Sequence, residues 1–496
     1  MQIFVRRSLC LALPVLFAGS SLLAQDAALA LSTSVGYGTQ RLSLPLSPEQ
    51  AKEAERLGQA ATAATRAGKY GEALNDYAQG MAVMHNVEWN ADAELASALR
   101  GKVDHAMIAP GKVTVTLAPL YPAERASAAK LSAAIFLVPA GKEGMAVAPG
   151  APIDPARLPF TEQITVPPSA SGNYTVEVRL TEGNGSSPTG LNGVFTKTLP
   201  IHVEPLAADA QHLRASIAKI GKRDNPALAT AEYTLALYEK ADQGEVNPRT
   251  YNFKNEFATA QAIADAIQAG KDPFAGKRGD FRKAYRSAVD QTLQPYRLFI
   301  PEGYDGSKTA PMVVALHGMG GDENGMFDGY GKELTGDAQA HGFIVVAPKG
   351  RGPAAMYRGD AEKDVLDVIA EVERDYKVDK SRVYLMGHSM GGFGTWSIAI
   401  AHPELFAALG PISGGGDANG MVKIKDIPQY VTHGDNDKTV NVNSSRTMVA
   451  AGKKAGAPIT YVEVPGGSHV SVAQPAFAPM LDFFAKQSRP AAMSSR

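Results

Sequence analysis

Cysteine is almost missing from this chain. Its single copy among 496 residues, Cys10, falls in the first dozen positions. Everything after it therefore lacks disulfides, thiolate metal sites and a cysteine nucleophile. Charge of one sign is missing too. With 49 Lys and Arg against 50 Asp and Glu, the net charge is −1. That balance gives no electrostatic reason to expect nucleic acid or an acidic membrane as partner. No segment beyond the first twenty or so residues is long and apolar enough to cross a bilayer. No phosphate loop or dinucleotide fingerprint occurs, because Gly318-Met319-Gly320-Gly321 lacks the glycine and Lys-Ser/Thr that nucleotide sites use. His85, His105, His202 and His212 show no metal-ligand spacing. The expectation is no cofactor and no metal.

What the chain does have begins at its N-terminus. Arg6 and Arg7 precede an apolar run, Leu9 to Phe17, too short for a membrane span. Small residues Ala18, Gly19, Ser20, Ser21 and Ala24 follow. This reads as a signal peptide over residues 1–24, cleaved near Ala24, with export to the periplasm or beyond. An uncleaved anchor and twin-arginine export are the rival readings.

The length calls for several domains. Residues 25–110 carry an Ala-rich helical pattern broken at Gly68-Lys69, a helical hairpin like one tetratricopeptide unit without a second copy. Over residues 111–205 the period drops to two, as in Val113–Leu117, Ala133–Val138, Tyr174–Leu180 and Thr196–Val203. Those strands predict a small β-sandwich of immunoglobulin-like type, acting as spacer or polymer binder. Residues 206–279 are helical again and end in a Gly/Lys/Arg-rich linker. From 280 to 490 apolar strands alternate with helices: Tyr296–Ile300, Met312–Leu316, Ile344–Ala347, Val383–Met386, Ala408–Ile412, Gln429–Thr432 and Thr460–Val464. That alternation predicts an α/β domain with a mostly parallel sheet covered on both faces. Function in such sheets sits at the carboxyl ends of the strands.

One of those ends carries Gly387-His388-Ser389-Met390-Gly391, between the strand Val383–Met386 and a predicted helix from Gly392 to His402. Chance alone supplies about 0.3 such G-x-S-x-G matches in a chain this rich in glycine. The strand–turn–helix context raises it to a nucleophile elbow, where a strained turn lifts the serine oxygen clear of the sheet.

A serine hydroxyl needs a base to take its proton. In the α/β-hydrolase order the acid and then the histidine follow the serine. Three histidines remain: His402, His433 and His469. His402 closes the elbow helix, facing away. His469 follows the last strand in a Gly-rich loop and is assigned as base, with His433 as the alternative. The acid is Asp437 or Asp435. Asp437, a few residues past the strand end, is favoured, leaving Asp435 as a turn residue. The oxyanion donors are the backbone N–H of Met390 and that of Met319, with Gly320 as second choice, in the loop His317-Gly318-Met319-Gly320-Gly321 after the strand Met312–Leu316.

Tyr296 to Pro301, Ala315 to Gly321, Ala347 to Gly352 and Val383 to Gly392, with Gly394-Thr395-Trp396, resemble the secreted α/β-hydrolase esterases. These are relatives of polyhydroxybutyrate depolymerases and of feruloyl or acetylxylan esterases, also labelled predicted peptidases of prolyl-oligopeptidase type. The resemblance covers the chain from Asp280 onward. It implies a Ser–Asp–His hydrolase without cofactor, acting on ester or peptide substrates, polymeric ones included. The residues before 280 resemble no family. The expectation is an exported serine hydrolase of carboxylic esters. A serine peptidase on the same fold is the alternative. A non-catalytic binding protein with a hydrolase shell is disfavoured, because nucleophile, acid, base and oxyanion loop occur in order.

Overall fold

The computed structural model describes residues 18–183, 191, 193–221, 225–352 and 354–490. Arg6, Arg7 and the apolar run Leu9 to Phe17 lie outside them. The chain divides into two compact units. One comprises residues up to Leu206 with Tyr238–Asn252, the other Ala207–Leu237 with Phe253 onward.

The first unit opens with α1 (Ala18–Ser43), α2 (Pro48–Arg66), α3 (Tyr70–Met84) and α4 (Ala91–Ala98). A reciprocal capping box starts α2, with Ser47 and Gln50 each bonding the other's backbone and Pro48 in the first turn. Gly68, at φ +74°, ends that helix and turns the chain into α3. A lone hairpin cannot bury its apolar face, and here α1 covers it. The Tyr37 hydroxyl donates to the Ala54 carbonyl at 2.5 Å. A Cβ on Gly80 would stand 2.0 Å from that hydroxyl, so the tyrosine needs glycine there.

Eight strands follow: β1 (Leu99–Val103), β2 (Met107–Ile108), β3 (Gly111–Pro119), β4 (Leu131–Pro139), β5 (Met145–Ile153), β6 (Phe160–Val166), β7 (Gly172–Glu182) and β8 (Lys197–Val203). They form a three-stranded sheet, β1-β3-β6, and a five-stranded sheet, β2-β8-β7-β4-β5. Val113, Val115 and Ile164 of the first share one core with Ile135, Val176 and Ile201 of the second. Alternation along β3, β6 and β7 supplies much of that core, one residue in two.

The second unit contains α5 (Ala207–Ile220), α6 (Leu228–Asp242) as far as Leu237, and α7 (Phe253–Gln268). The chain then alternates: β9 (Gly279–Arg286), β10 (Leu293–Ile300), β11 (Ala310–Leu316), α8 (Gly325–Asp328), α9 (Glu333–His341), β12 (Ile344–Pro348), α10 (Asp360–Asp375), β13 (Val378–His388), α11 (Met390–Ala401), β14 (Ala408–Ile412), β15 (Gln429–Gly434), α12 (Asn443–Ala455), β16 (Ile459–Val464) and α13 (Ala473–Phe484). The eight strands lie in the order β16-β15-β14-β13-β11-β12-β10-β9. Only β10 runs antiparallel to its neighbours, β9 and β12. This is the mostly parallel α/β sheet expected from the sequence. Every residue of β11, β12 and β14 is buried, which is why these strands read as unbroken apolar runs. Among the described residues no helix is long and apolar enough to cross a membrane.

Strand β9 escaped the sequence reading because its composition is polar. Its charges are paired rather than solvated. Arg282 meets Glu256 at 2.8 Å and Glu323 at 3.1 Å, Lys283 meets Asp375 at 2.5 Å, and Arg286 meets Glu232 at 2.5 Å. It is also the edge of the sheet, and α6 covers it: the N–H of Ala284 donates to Thr230 Oγ1 at 3.0 Å. A fragment starting at Asp280 would leave that edge open to another chain. We expect a fragment from Ala207 to the C-terminus to elute as a monomer in size-exclusion chromatography, and one from Asp280 to self-associate. A monomeric Asp280 fragment would contradict the role given to α6 and α7.

Candidate active site

Ser389 sits between the end of β13 and the start of α11 at φ +58°, ψ −118°. A non-glycine residue with positive φ is strained, at a cost on the order of 1–3 kcal/mol. The neighbours enforce it. A Cβ on Gly387 would stand 2.5 Å from the Gly391 carbonyl carbon, one on Gly391 2.1 Å from the Leu316 oxygen, and one on Gly392 2.5 Å from the Ile412 oxygen. Only glycines allow α11 so close to β11 and β14. The Ser389 N–H donates to the Ile412 carbonyl at 2.9 Å, and the Ser389 carbonyl accepts from Phe393 at 3.1 Å. The backbone is thereby held and the side chain left free.

Register sets the height of the site. His388 lies level with Ile412, Ile412 with Thr432, and Thr432 with Val462. Ser389 leaves the sheet one residue above that row. The loops after β15 and β16 rise beyond it, carrying Asp437 and His469. His469 Nε2 lies 2.8 Å from Ser389 Oγ, and His469 Nδ1 lies 2.6 Å from Asp437 Oδ2. The Asp437 carboxylate is fully buried, and its other oxygen accepts from the N–H groups of Thr439 at 2.8 Å and Val440 at 2.9 Å. Burial alone would raise its pKa. The hydrogen bonds from His469 and the two amides outweigh that and hold the carboxyl below its ordinary range.

Asp435 is exposed, and its Oδ1 accepts from the Gly466 N–H at 2.7 Å. It ties the loop after β15 to the loop after β16. The two loops meet backbone to backbone, since a Cβ on Gly434 would stand 2.1 Å from the Gly467 oxygen. His433 is fully buried; its Nδ1 lies 2.7 Å from Ser445 Oγ and its Nε2 2.9 Å from the Val440 carbonyl. His402 pairs with Glu362 at 2.8 Å. The structure thus brings Ser389, Asp437 and His469 together; His433 Nε2 also lies 3.2 Å from Asp437 Oδ2, while Asp435 and His402 have other partners.

The loop after β11 passes beside Ser389. A Cβ on Gly318 would stand 3.4 Å from Ser389 Cβ. The Gly321 N–H donates to the Gly318 carbonyl at 3.1 Å, with Gly320 at φ +80°, so Met319 and Gly320 form the corner of a tight turn. His317, buried beneath, lies 2.8 Å from the Lys349 carbonyl through Nε2. The Met390 N–H, at the first position of α11, has no acceptor within its own helix. Met319 and Val470, beside the loop corner and the base, are both exposed. Among the described residues no group of three His, Cys, Asp or Glu side chains could hold a metal.

One residue of the elbow motif does more than fill the pattern. His388 is buried, with Nδ1 2.7 Å from the Tyr330 hydroxyl and Nε2 2.8 Å from the His469 carbonyl. A carbonyl only accepts, so Nε2 carries the proton and Nδ1 accepts from the tyrosine. The strand that ends at Ser389 is thus pinned to the loop that bears His469. Burial, aided by the adjacent His469, pushes the His388 pKa down to about 4. Sequence reading missed this because the position before the serine is variable in the motif, and Tyr330 lies 58 residues away.

A family model described as the prolyl oligopeptidase family matches residues 338–431. Several curated proteins are similar in sequence to part of this chain. "Probable feruloyl esterase C" of Aspergillus oryzae is 31% identical over 188 residues, 36% of this chain and 68% of its own length. The protein of that name from Aspergillus terreus is 33% identical over 161 residues, 31% of this chain and 58% of its own. "Bifunctional acetylxylan esterase/xylanase XynS20E" of Neocallimastix patriciarum is 31% identical over 135 residues, 27% of this chain and 20% of its own. The chain therefore spans between a fifth and two thirds of the length of these relatives. Through its α/β unit it belongs to the feruloyl-esterase group of α/β-hydrolases.

The neutral His388 has a measurable consequence. The unfolded chain takes up a proton near the ordinary value of 6.5, and the folded ring only near 4. The folded state is therefore penalised as pH falls below 6.5, by about 3 kcal/mol once below 4. His388→Gln keeps a donor toward the His469 carbonyl and does not titrate. Urea unfolding should show the wild type losing stability relative to His388→Gln between pH 6.5 and 4. Parallel stability curves for the two proteins would contradict the buried neutral ring.

Proposed function

We propose that the protein is an exported serine hydrolase that cleaves carboxylic esters through an acyl-enzyme. The observation that carries this reading is the hydrogen-bonded run from Ser389 Oγ to His469 to the buried Asp437 carboxylate, at 2.8 and 2.6 Å. In the proposed reaction Ser389 Oγ attacks the ester carbonyl carbon while His469 Nε2 takes its proton. Asp437 holds the ring in orientation and stabilises the imidazolium without taking the proton. The carbonyl oxygen becomes an oxyanion facing the N–H groups of Met390 and Met319. As the carbonyl re-forms, the C–O bond to the alcohol breaks and His469 returns the proton to the leaving oxygen. Water then repeats the sequence on the acyl-enzyme, releasing the acid and Ser389. The exposed side chains of Met319 and Val470 offer the acyl group an apolar rim. Relatives named for feruloyl and acetylxylan esters make a carboxylic ester carried on a plant polysaccharide the substrate class of choice. Export rests on the charged and apolar segments of residues 1–24.

A second reading, a serine peptidase, is favoured by the prolyl oligopeptidase description of the family model. That match ends at residue 431. It takes in the nucleophile but neither Asp437 nor His469, so it speaks for the shared core more than for the leaving group. Paired substrates separate the two readings. The protein should hydrolyse aryl esters and leave the matching anilides intact; efficient anilide cleavage would favour the peptidase.

The roles predict a ranking of variants. Ser389→Ala should lose at least about ten-thousand-fold in kcat while keeping its circular dichroism. Asp437→Asn should lose about ten-thousand-fold through misorientation of the imidazole, and Asp435→Asn far less. Steady-state kinetics on one ester decide it. Near-normal turnover by folded Ser389→Ala, or a larger loss in Asp435→Asn than in Asp437→Asn, would overturn the assignment.

A further inference from the structure

The first unit holds a cavity of about 380 Å³, within the roughly 300–1,000 Å³ of small-ligand pockets. Its walls are mainly apolar, with Leu74, Leu99, Leu120, Phe195 and Leu199 among them. Two cations, Lys197 and Arg100, also line it, and among the described residues no Asp or Glu does.

Lys197 is half-buried at the start of a row that runs into the core. On β8, residues 197, 199, 201 and 203 share one face. Ile201 and Val203 of that set are buried in the core of the sandwich, and Leu199 packs against it. Lys197 is the first position of the same inward row, where a two-sheet sandwich ordinarily carries an apolar residue. Space has been made for it. Across the sandwich, a Cβ on Gly101 of β1 would stand 3.2 Å from Lys197 Cβ. Among the described residues no side-chain hydrogen bond or ion pair reaches the Lys197 ammonium. Burial pushes its ammonium down to about 8, the direction expected when desolvation meets no compensating anion. Arg100, exposed at the cavity wall, adds positive field of the same sign. Cation without acid, at the end of an apolar cleft, is complementary to one ligand chemistry: a single carboxylate on an apolar body.

We propose that this cavity binds a monocarboxylic acid, with the carboxylate on Lys197 and the apolar body between Leu74, Leu99, Leu120 and Leu199. The site lies within the first unit and none of its residues belongs to the hydrolytic site.

Calorimetric titration of the full chain with octanoate tests this, with octanamide as the uncharged match. A charge-assisted contact predicts octanoate binding that is saturable and about tenfold or more tighter than octanamide binding. Lys197→Met should lose that preference, and Lys197→Arg should retain it. Trp89 provides a second readout, since its ring lies 6.3 Å from that of Phe195 at the cavity wall. Octanoate should change Trp89 emission in wild type and not in Lys197→Met. No saturable binding, equal affinity for acid and amide, or unchanged binding in Lys197→Met would each overturn the proposal and leave Lys197 a lysine that merely reaches for solvent.

Discussion

The close approach of α11 to the ends of β11 and β14 is the constraint on which the site depends. Backbone meets backbone there, and a single methyl group on Gly391 or Gly392 would overlap the Leu316 or Ile412 carbonyl. The approach leaves the chain no ordinary conformation at residue 389. Ser389 takes positive φ, its N–H and carbonyl are consumed by Ile412 and Phe393, and its oxygen is turned out above the sheet. The first N–H of α11 has no acceptor within its own helix. Nucleophile exposure and a backbone donor thus follow from one steric fact. The same device recurs across the site: Gly434 against Gly467 brings the acid loop onto the base loop.

Around that point the polar groups are held in a closed set of contacts. The Asp437 carboxylate is held by two amides, His469 and the buried His433, and His469 is fixed through its own carbonyl by His388. Tyr330 then sets the tautomer of His388. The His469 imidazole, which the proposed mechanism turns into a cation, sits beside one whose burial keeps it neutral. Two like charges 4.8 Å apart between ring centres would otherwise oppose each other.

The fold of the α/β unit was largely legible because its central strands are buried on both faces and so announce themselves as apolar runs. Strand β9 was not legible, because Arg282 and Lys283 are there for partners on other elements, which no local pattern shows. In the first unit, β5 reads Met-Ala-Val-Ala-Pro-Gly-Ala-Pro-Ile, and its prolines and glycine hide a strand at the sheet edge. In the site, chain order and strand-end position singled out Ser389, Asp437 and His469 as candidates, and His469 lies within hydrogen-bonding reach of the other two. The work of His388 and the meeting of Gly434 with Gly467 depend on contacts across 81 and 33 residues of sequence, outside the range of any motif.

The central claim is that Ser389 is the nucleophile, activated by His469. A fluorophosphonate reacts only with a serine whose proton is being removed, so peptide mass mapping after labelling addresses the claim directly. One equivalent of adduct on the peptide containing Ser389, lost when His469 is replaced by alanine in a folded protein, is the result expected. Labelling on another residue, or labelling of Ser389 undiminished without His469, would contradict it.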